Sequence, residues 1–309
     1  MTDVLDDSAR TAPSSPLLSD LSGVSGRRRT TNTVVTVLMG LCVAIIFVVL
    51  ALVLATVIGK GWSIVSKEFP KWFTKDIQLS PRRPGPGMKA AIVGTIITTL
   101  TATVIAVPLG IAGAVYLNEY GKRSLFARIL RFFTTVMAGV PSIVMGLFIY
   151  VFWVVPRGID GLNSFSGALS LACLMLPIVV RSSEEMLRLV PQNLRDASYA
   201  LGATPSRTIL TVVIPKASPG IISGSLLAVA RATGETAPLI FTIGAAKQVN
   251  WNVFSGTNTA LSRQIYDNAK ESFPAAQERA WGAALTLIAL AFLFTIVARV
   301  LSARISRNS

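Results

Sequence analysis

The chain has 309 residues, of which 52% are hydrophobic and 14% are charged. Soluble domains carry about 25% charged residues, so this composition predicts a polytopic membrane protein in contact with a lipid bilayer. The formal net charge is +14, but the basic residues mostly flank apolar segments, where they set topology and meet anionic lipid. We therefore expect no nucleic-acid partner.

Common metal, redox and nucleotide chemistry is also disfavoured. The chain has no histidine, and its two cysteines lie within apolar runs, so neither a metal cluster nor a disulfide framework is predicted. The sequence also lacks the glycine-rich phosphate-binding loop G-x-x-x-x-G-K-[ST]. We expect no enzymatic activity and no cofactor in this chain, and any ATP that drives it must be bound by another subunit.

The N-terminal part divides into a tail and a first membrane span. Residues 1–30 are rich in Ser, Thr, Pro and Asp and are predicted to form a disordered cytoplasmic tail. Val34–Ile58 carries no charge and exceeds the roughly 20 residues needed to cross the hydrocarbon core. The stretch is too long for the apolar region of a signal peptide, so residues 31–88 are predicted to hold an uncleaved span and an external loop.

Five further segments are apolar enough to span a membrane, and the predicted fold class is an all-α protein with six transmembrane helices. These segments are Lys89–Leu117, Phe133–Val155, Phe165–Val180, Ile221–Ala245 and Trp281–Ala298. Residues 89–303 are predicted to form one transmembrane domain that includes a cytoplasmic loop at 181–220. Six spans place both termini on one side, and Arg27–Arg29 identify that side as cytoplasmic.

The loop at 181–220 contains DASYALGATPSRTILTVVIP, which carries several helix-boundary signals. Pro191 can open a helix, and Gly202 can close it in a left-handed conformation. Thr204 can cap a second helix that ends at Pro215. The pattern predicts two short helices with a fixed corner, either as a well-packed loop or as an element that passes movement to a soluble partner.

Charged residues also occur within or beside the predicted spans. Arg231 and Glu235 are four residues apart in the fifth span, and Arg181 and Glu184 follow the fourth. A charge at the bilayer centre costs at least about 2.5–3.5 kcal/mol, so such residues usually serve a function. The pairs are interpreted either as arginines that line an anion path, partly compensated by the glutamates, or as contacts that only hold helices together.

The cytoplasmic loop resembles the EAA loop of ABC-importer permeases, whose motif is Glu-Ala-Ala, three residues, Gly, nine residues, then Ile-x-Leu-Pro. This chain keeps the spacing with conservative replacements. The matching residues are Asp196, Ala197, Ser198, Gly202, Ile214 and Pro215. The resemblance implies the type I importer permease fold and docking of this loop in a groove of a separate ATPase subunit.

Other stretches narrow the resemblance to PstA-type permeases of the phosphate ABC importer, among them PLGIAGAVYLNEYG, AGVPSIVMGLF and RATGETAPLIF. It implies a plasma-membrane complex with a PstC-like second permease, a PstB-like ATPase dimer and a PstS-like external phosphate-binding protein. The phosphate path would use Arg181, Glu184, Arg231 and Glu235. The outer loop 247–279, with Trp251, Phe254 and Tyr266, would meet the binding protein or be an ordinary surface.

Two other functions fit parts of the sequence. A gradient-driven anion transporter or channel would also use charges inside the membrane, although the EAA-like loop would then have no partner. A purely regulatory or assembly subunit would use the loop without carrying an anion.

Overall fold

The computed structural model describes residues 26–85, 87–121 and 124–307. Most of the predicted tail, residues 1–25, lies outside this range. The α-helices are α1 (Gly26–Lys67), α2 (Lys71–Thr74), α3 (Lys89–Val115), α4 (Leu125–Gly139), α5 (Ser142–Ile149), α6 (Ser164–Arg188), α7 (Gln192–Ala200), α8 (Pro205–Thr208), α9 (Ile214–Gly234), α10 (Ala237–Thr242), α11 (Leu261–Ala269) and α12 (Pro274–Arg307). Short π-helical segments follow α3, α5 and α8 at Tyr116–Tyr120, Tyr150–Val154 and Ile209–Val213, and a 3₁₀ segment covers Val155–Gly161.

Six helical segments of the described chain are long and apolar enough to cross a membrane, which confirms the predicted fold class. Their bounds are Thr30–Lys67, Lys89–Tyr120, Ser142–Gly161, Ser164–Arg188, Pro205–Gly234 and Pro274–Val297. The predicted boundaries were least accurate around the loop predicted at 181–220. The fourth span extends to Arg188, and Pro215 lies inside a helical run that begins at Pro205 instead of ending a helix. The segment between the two spans is therefore shorter than 181–220.

Residues 26–55 form the first part of α1, and their side chains are almost all exposed where described. An uninterrupted apolar helix of this kind suits contact with lipid. Residues 56–307 form a separate compact unit that contains the remaining helices.

The core of this unit is a parallel packing of α3 against α6. Gly167 of α6 lies against Thr98, and further along both helices Gly110 of α3 lies against Val179, so the helices run in the same direction. Small residues fill the contact, among them Ala102, Ala106, Ala168 and Ala172. Small side chains let membrane helices approach closely, which increases the van der Waals contact that holds them together.

We expect Gly110→Ala to destabilise this contact by about 1–3 kcal/mol, the usual cost of overpacking. A Cβ at Gly110 would stand 2.6 Å from Cγ1 of Val179, whereas a Cβ at Gly113 on the same helix would make an ordinary 3.5 Å contact with Val180. Thermal unfolding in detergent measures the difference, with Gly113→Ala as the matched control. Equal melting temperatures for the two variants would contradict the close packing.

A second core joins the segment between the first and second spans to the last span. The Trp72 side chain is fully buried there, together with Met88 and Ala283, and its indole Nε1 donates to Oγ1 of Thr286 at 2.9 Å. A buried indole N–H needs such an acceptor. This core fixes the segment between the first and second spans on α12.

Candidate functional site

The fifth span is a broken helix that runs antiparallel to α6. Gly224 of α9 lies against Ser182, and the carbonyl of Thr242 in α10 accepts from Oγ of Ser166 at 2.7 Å. Between these two contacts α9 ends at Gly234, and α10 starts at Ala237. The predicted span Ile221–Ala245 is therefore two helices with a break between them.

The charged pair lies at this break, close to the middle of the membrane domain. Arg231 is seven residues beyond Gly224, which places it at about the level of Met175, near the midpoint of α6. Its Nε lies 3.5 Å from Oε1 of Glu235. The predicted pairing is confirmed, with the correction that Glu235 follows the end of α9 instead of lying on the helix.

The pair presents an open face. The Arg231 side chain is 65% exposed in the isolated chain, and the Glu235 side chain is 18% exposed. Because a guanidinium facing hydrocarbon at this depth is costly, we infer that the face of α9 carrying Arg231 borders protein or water. Ser223 and Leu227 lie on the same exposed face, which continues to Lys216 at the other end of α9.

Donors from α11 satisfy backbone carbonyls at the break and at the end of α10. Oγ of Ser262 donates to the carbonyl of Glu235 at 2.9 Å. Arg263 donates from Nη1 to the carbonyls of Leu239 and Ile240 at 3.2 and 2.6 Å. Irregular backbone at membrane depth is tolerated only where it is buried in protein or lines a cavity, so α11 stabilises the break through Ser262 and the end of α10 through Arg263.

A second break lies beside the first. Helix α4 ends at Gly139 and α5 begins at Ser142 after Pro141. Gly146 of α5 packs so closely on α10 that a Cβ there would stand 2.4 Å from Cα of Pro238. The predicted span Phe133–Val155 is therefore also two helices, and both breaks lie at the same end of the α5–α10 contact.

The second predicted ion pair is wrong in its partners. Arg181 lies 3.6 Å from Glu185, not Glu184, and both side chains of that pair are largely exposed. Glu184 is mostly buried and accepts from Arg131 of α4 at 2.9 Å and from Arg188 at 2.6 Å. The i, i+3 spacing gave the wrong partner because the turn of α6 presents Arg181 and Glu184 to different neighbours.

These charges line a cleft of about 210 Å³ on the side of the molecule where α6 ends. The lining residues are Arg131, Thr134, Thr135, Val180, Arg181, Glu184, Glu185 and Arg188. The structure therefore places the four predicted path residues in two groups, with Arg231 and Glu235 at mid-depth and Arg181 and Glu184 in this cleft.

The predicted corner between two short helices is present. Gly202 has a φ of +81° and separates α7 from α8, which starts at Pro205 after Thr204. Oγ of Ser198 and Oγ1 of Thr208 lie 2.8 Å apart and join the two helices. The backbone N–H of Gly202 donates to the carbonyl of Tyr199 at 2.9 Å, so the corner is closed by hydrogen bonds.

The residues of the EAA-like motif do not all lie on one surface. Asp196 and Ala197 are exposed on α7, and Asp196 accepts from Nε2 of Gln192 at 3.1 Å. Ile214 and Pro215 are half-buried at the start of α9. The exposed face of the loop thus comprises α7 and the tip at Leu201, which is 90% exposed.

Sequence reasoning missed a buried ion pair beneath this exposed face. Arg195 of α7 donates from Nη2 to Oε1 of Glu119 at 2.9 Å, and the two side chains are only 8% and 7% exposed. The sequence offered one signal for this pair. Glu119 is an acidic residue at the end of the second span, where the predicted topology placed mainly basic residues. Its partner is 76 residues away in sequence, so no local spacing connects the two.

The loop at 247–279 carries exposed aromatic side chains. Trp251 and Phe254 are about 70% exposed, and Phe254 stacks on Phe165 at the start of α6 with ring centroids 5.0 Å apart. Burial lowers the pKa of Lys247, and the neighbouring Asp267 opposes this shift. The loop is ordered by hydrogen bonds, including Nδ2 of Asn250 to the carbonyl of Ser255 at 2.8 Å.

Comparison with known proteins gives consistent results. The family described as binding-protein-dependent transport system inner membrane component matches residues 106–307. The phosphate transport system permease protein PstA 1 of Mycobacterium tuberculosis (strain CDC 1551 / Oshkosh) is 41% identical over 276 residues, covering 89% of this chain and 90% of that protein. The PstA protein of Mycobacterium leprae (strain TN) is 42% identical, covering 87% and 88%, and that of Yersinia pestis is 39% identical, covering 72% and 75%.

Among solved structures, a chain of the MetNI methionine ABC transporter in an inward-facing conformation superposes with a TM-score of 0.53. It is 18% identical, and the alignment covers 69% of this chain and 91% of that one. At this identity the likeness shows the fold alone.

Proposed function

The chain belongs to the binding-protein-dependent transport system inner membrane components, and from this membership we propose that it is the PstA-type permease subunit of an ATP-driven phosphate importer. It forms part of the path for inorganic phosphate and takes its energy from a separate ATPase. Members of such importers work with a second permease, an ATPase and an external binding protein. For this chain we propose PstC-like, PstB-like and PstS-like partners respectively.

The observation that carries this function is the placement of Arg231 at a helix break near mid-depth, on an open face. A guanidinium keeps its charge and presents a planar fork of donors that matches a tetrahedral oxyanion. Glu235 lies 3.5 Å away and offsets part of the charge, which keeps the arginine from holding the anion too tightly. Lys216 lies at the other end of the same face. It offers the anion a second basic site as the anion leaves the permease.

The proposed orientation of the chain in the membrane follows from the basic residues around the docking loop. The side on which α6 ends carries exposed cations on several elements, namely Arg128, Arg181, Arg188, Arg207 and Lys216. Such an excess marks the cytoplasmic side, where an ATPase can reach α7. With six spans, both termini lie on that side of the plasma membrane.

Proteoliposomes containing the two permeases and the ATPase test this function. With ATP inside and the phosphate-binding protein outside, we expect phosphate uptake that stops when the ATPase is omitted. Uptake that continues without the ATPase and follows an ion gradient would instead indicate a secondary transporter or channel. Assembly of the complex without any uptake would indicate a regulatory role.

A further inference from the structure

Arg195 lies on the docking helix α7, but its side chain points into the membrane domain. The residue is 7% exposed, whereas its neighbours Asp196 and Ala197 are exposed. Its Nη1 donates to the carbonyl of Val190 at 2.6 Å, and its Nη2 donates to the carbonyl of Leu187 at 3.1 Å. Arg195 is thereby fixed to the last turn of α6 and to the residues that directly follow it.

The third acceptor of Arg195 belongs to a different span. Glu119 lies in the π-helical segment that follows α3, and its Oε1 accepts from Nη2 of Arg195 at 2.9 Å. The same oxygen accepts from Nδ2 of Asn118 at 2.7 Å. The arginine therefore joins the docking helix to the ends of both core helices, α3 and α6.

The contact between Arg195 and Glu119 connects α7 to α3, although no backbone segment joins these two helices directly. Helix α7 follows α6 after a few residues, and α8 leads into α9, so movement of the docking loop reaches these two spans through the backbone. Helix α3 has no such continuity with the loop. Two residues before Glu119, the carbonyl of Leu117 accepts from Nη2 of Arg131 at 2.9 Å, which extends the contact to α4 and thus to the second helix break.

Stability of the fold alone would not require an ion pair at this site. Well-packed apolar residues often stabilise a buried site as well as an ion pair does, because two charges must first be desolvated. A guanidinium with a planar set of donors, by contrast, fixes the direction as well as the distance of its partners. The pair therefore fits a site at which the relative position of α7 and α3 matters.

We propose that Arg195 and Glu119 transmit the movement of the docking helix α7 to α3, so that ATP-driven displacement of the loop repositions α3 together with α6. Both are positioning residues. This inference rests on the proposed function, because it assumes that α7 docks on an ATPase.

The test uses the complete importer in proteoliposomes, with phosphate uptake and ATP hydrolysis measured in the same vesicles. The variants are Arg195→Gln, Glu119→Gln and the double variant. Glu119→Gln removes the ion pair but leaves both backbone contacts of Arg195 intact. It therefore tests whether the ion pair couples ATP hydrolysis to phosphate uptake, even where Arg195→Gln folds poorly. The control is Arg128→Gln, because Arg128 is exposed on the same side and forms no ion pair within the described part of the chain.

We expect the ATPase to co-purify with Glu119→Gln as with the unaltered chain, and the phosphate carried per ATP hydrolysed to fall about five- to tenfold, within the range seen along coupling networks. Arg195→Lys should carry more phosphate per ATP hydrolysed than Arg195→Gln, because lysine keeps the positive charge. The double variant should lose no more than the single ones, because the pair acts as a unit. The control should keep the unaltered ratio.

Three results would overturn the inference. These are an unaltered ratio in Glu119→Gln, loss of ATPase co-purification in that variant, and losses that simply multiply in the double variant. If the unaltered importer itself shows no ATP-dependent uptake, the proposed function fails, and that outcome is distinct from failure of the coupling role.

Discussion

Arg231→Ala is expected to reduce ATP-driven phosphate uptake by about 10- to 100-fold while the importer still assembles. A hydrogen bond to a charged group contributes about 1.5–3 kcal/mol, and each 1.4 kcal/mol corresponds to about tenfold. The Arg231 side chain is 65% exposed and its ion pair is with Glu235, so its removal costs little packing within this chain. Uptake of radiolabelled phosphate into proteoliposomes measures the effect.

Two variants on the same face of α9 make this result specific. Leu227 lies one turn before Arg231 and is 68% exposed, so Leu227→Ala removes a side chain there without changing the charge and should leave uptake within about twofold. Arg231→Lys keeps the charge but loses the planar fork, so its uptake should be intermediate. Failure of Arg231→Ala to assemble would mean that the pair holds helices together instead of meeting the anion.

The six spans could be predicted from the sequence because the length of an apolar run is set by the thickness of the bilayer. The corner at Gly202 could also be predicted, because the left-handed conformation is a local property of one residue. Arg231 and Glu235 could be paired from their spacing, since four residues are about one helical turn. In each case the physical cause lies within a short stretch of chain.

The helix breaks were missed because the spans were assigned from hydropathy, which does not distinguish a continuous helix from two shorter ones. Local signals were present, since Gly139 and Pro141 lie at one break and Pro238 follows the other. The tertiary contacts at the breaks could not be predicted, because the donor Ser262 and the approach of Gly146 to Pro238 join distant parts of the chain.

The partners of the buried charges were missed for the same reason. Glu184 accepts from Arg131, which lies 53 residues earlier, although Arg181 stood nearer in sequence. On α7, Asp196 and Ala197 are exposed, and the buried residue is Arg195. A polar residue became the inward one because the ends of α3 and α6 offer it a carboxylate and two carbonyls.

Gly202→Val is expected to weaken binding of the ATPase by about 5- to 30-fold, because a left-handed conformation costs an L-residue about 1–2 kcal/mol. A Cβ at Gly202 meets no other atom within 4 Å, so the effect is conformational and not a clash. Relief of the strain changes the angle between α7 and α8, which displaces the exposed tip at Leu201. Titration of the ATPase onto the purified permease pair measures the affinity.

Gly202→Asn is the matched control, because asparagine tolerates the left-handed region better than other residues with a Cβ. It adds a side chain of similar size in the same open space and should keep the affinity within about threefold, since asparagine often occupies this left-handed position after a helix. The thermal unfolding of both variants should match that of the unaltered chain, because the corner lies outside the membrane core.

Equal losses of ATPase affinity in the two variants would assign the effect to a contact made by the Gly202 surface. No loss of affinity in either variant would show that docking does not depend on the corner. A loss confined to Gly202→Val requires that the ATPase recognises the angle between α7 and α8, which is the property that a coupling loop needs to convert movement of one subunit into movement of another.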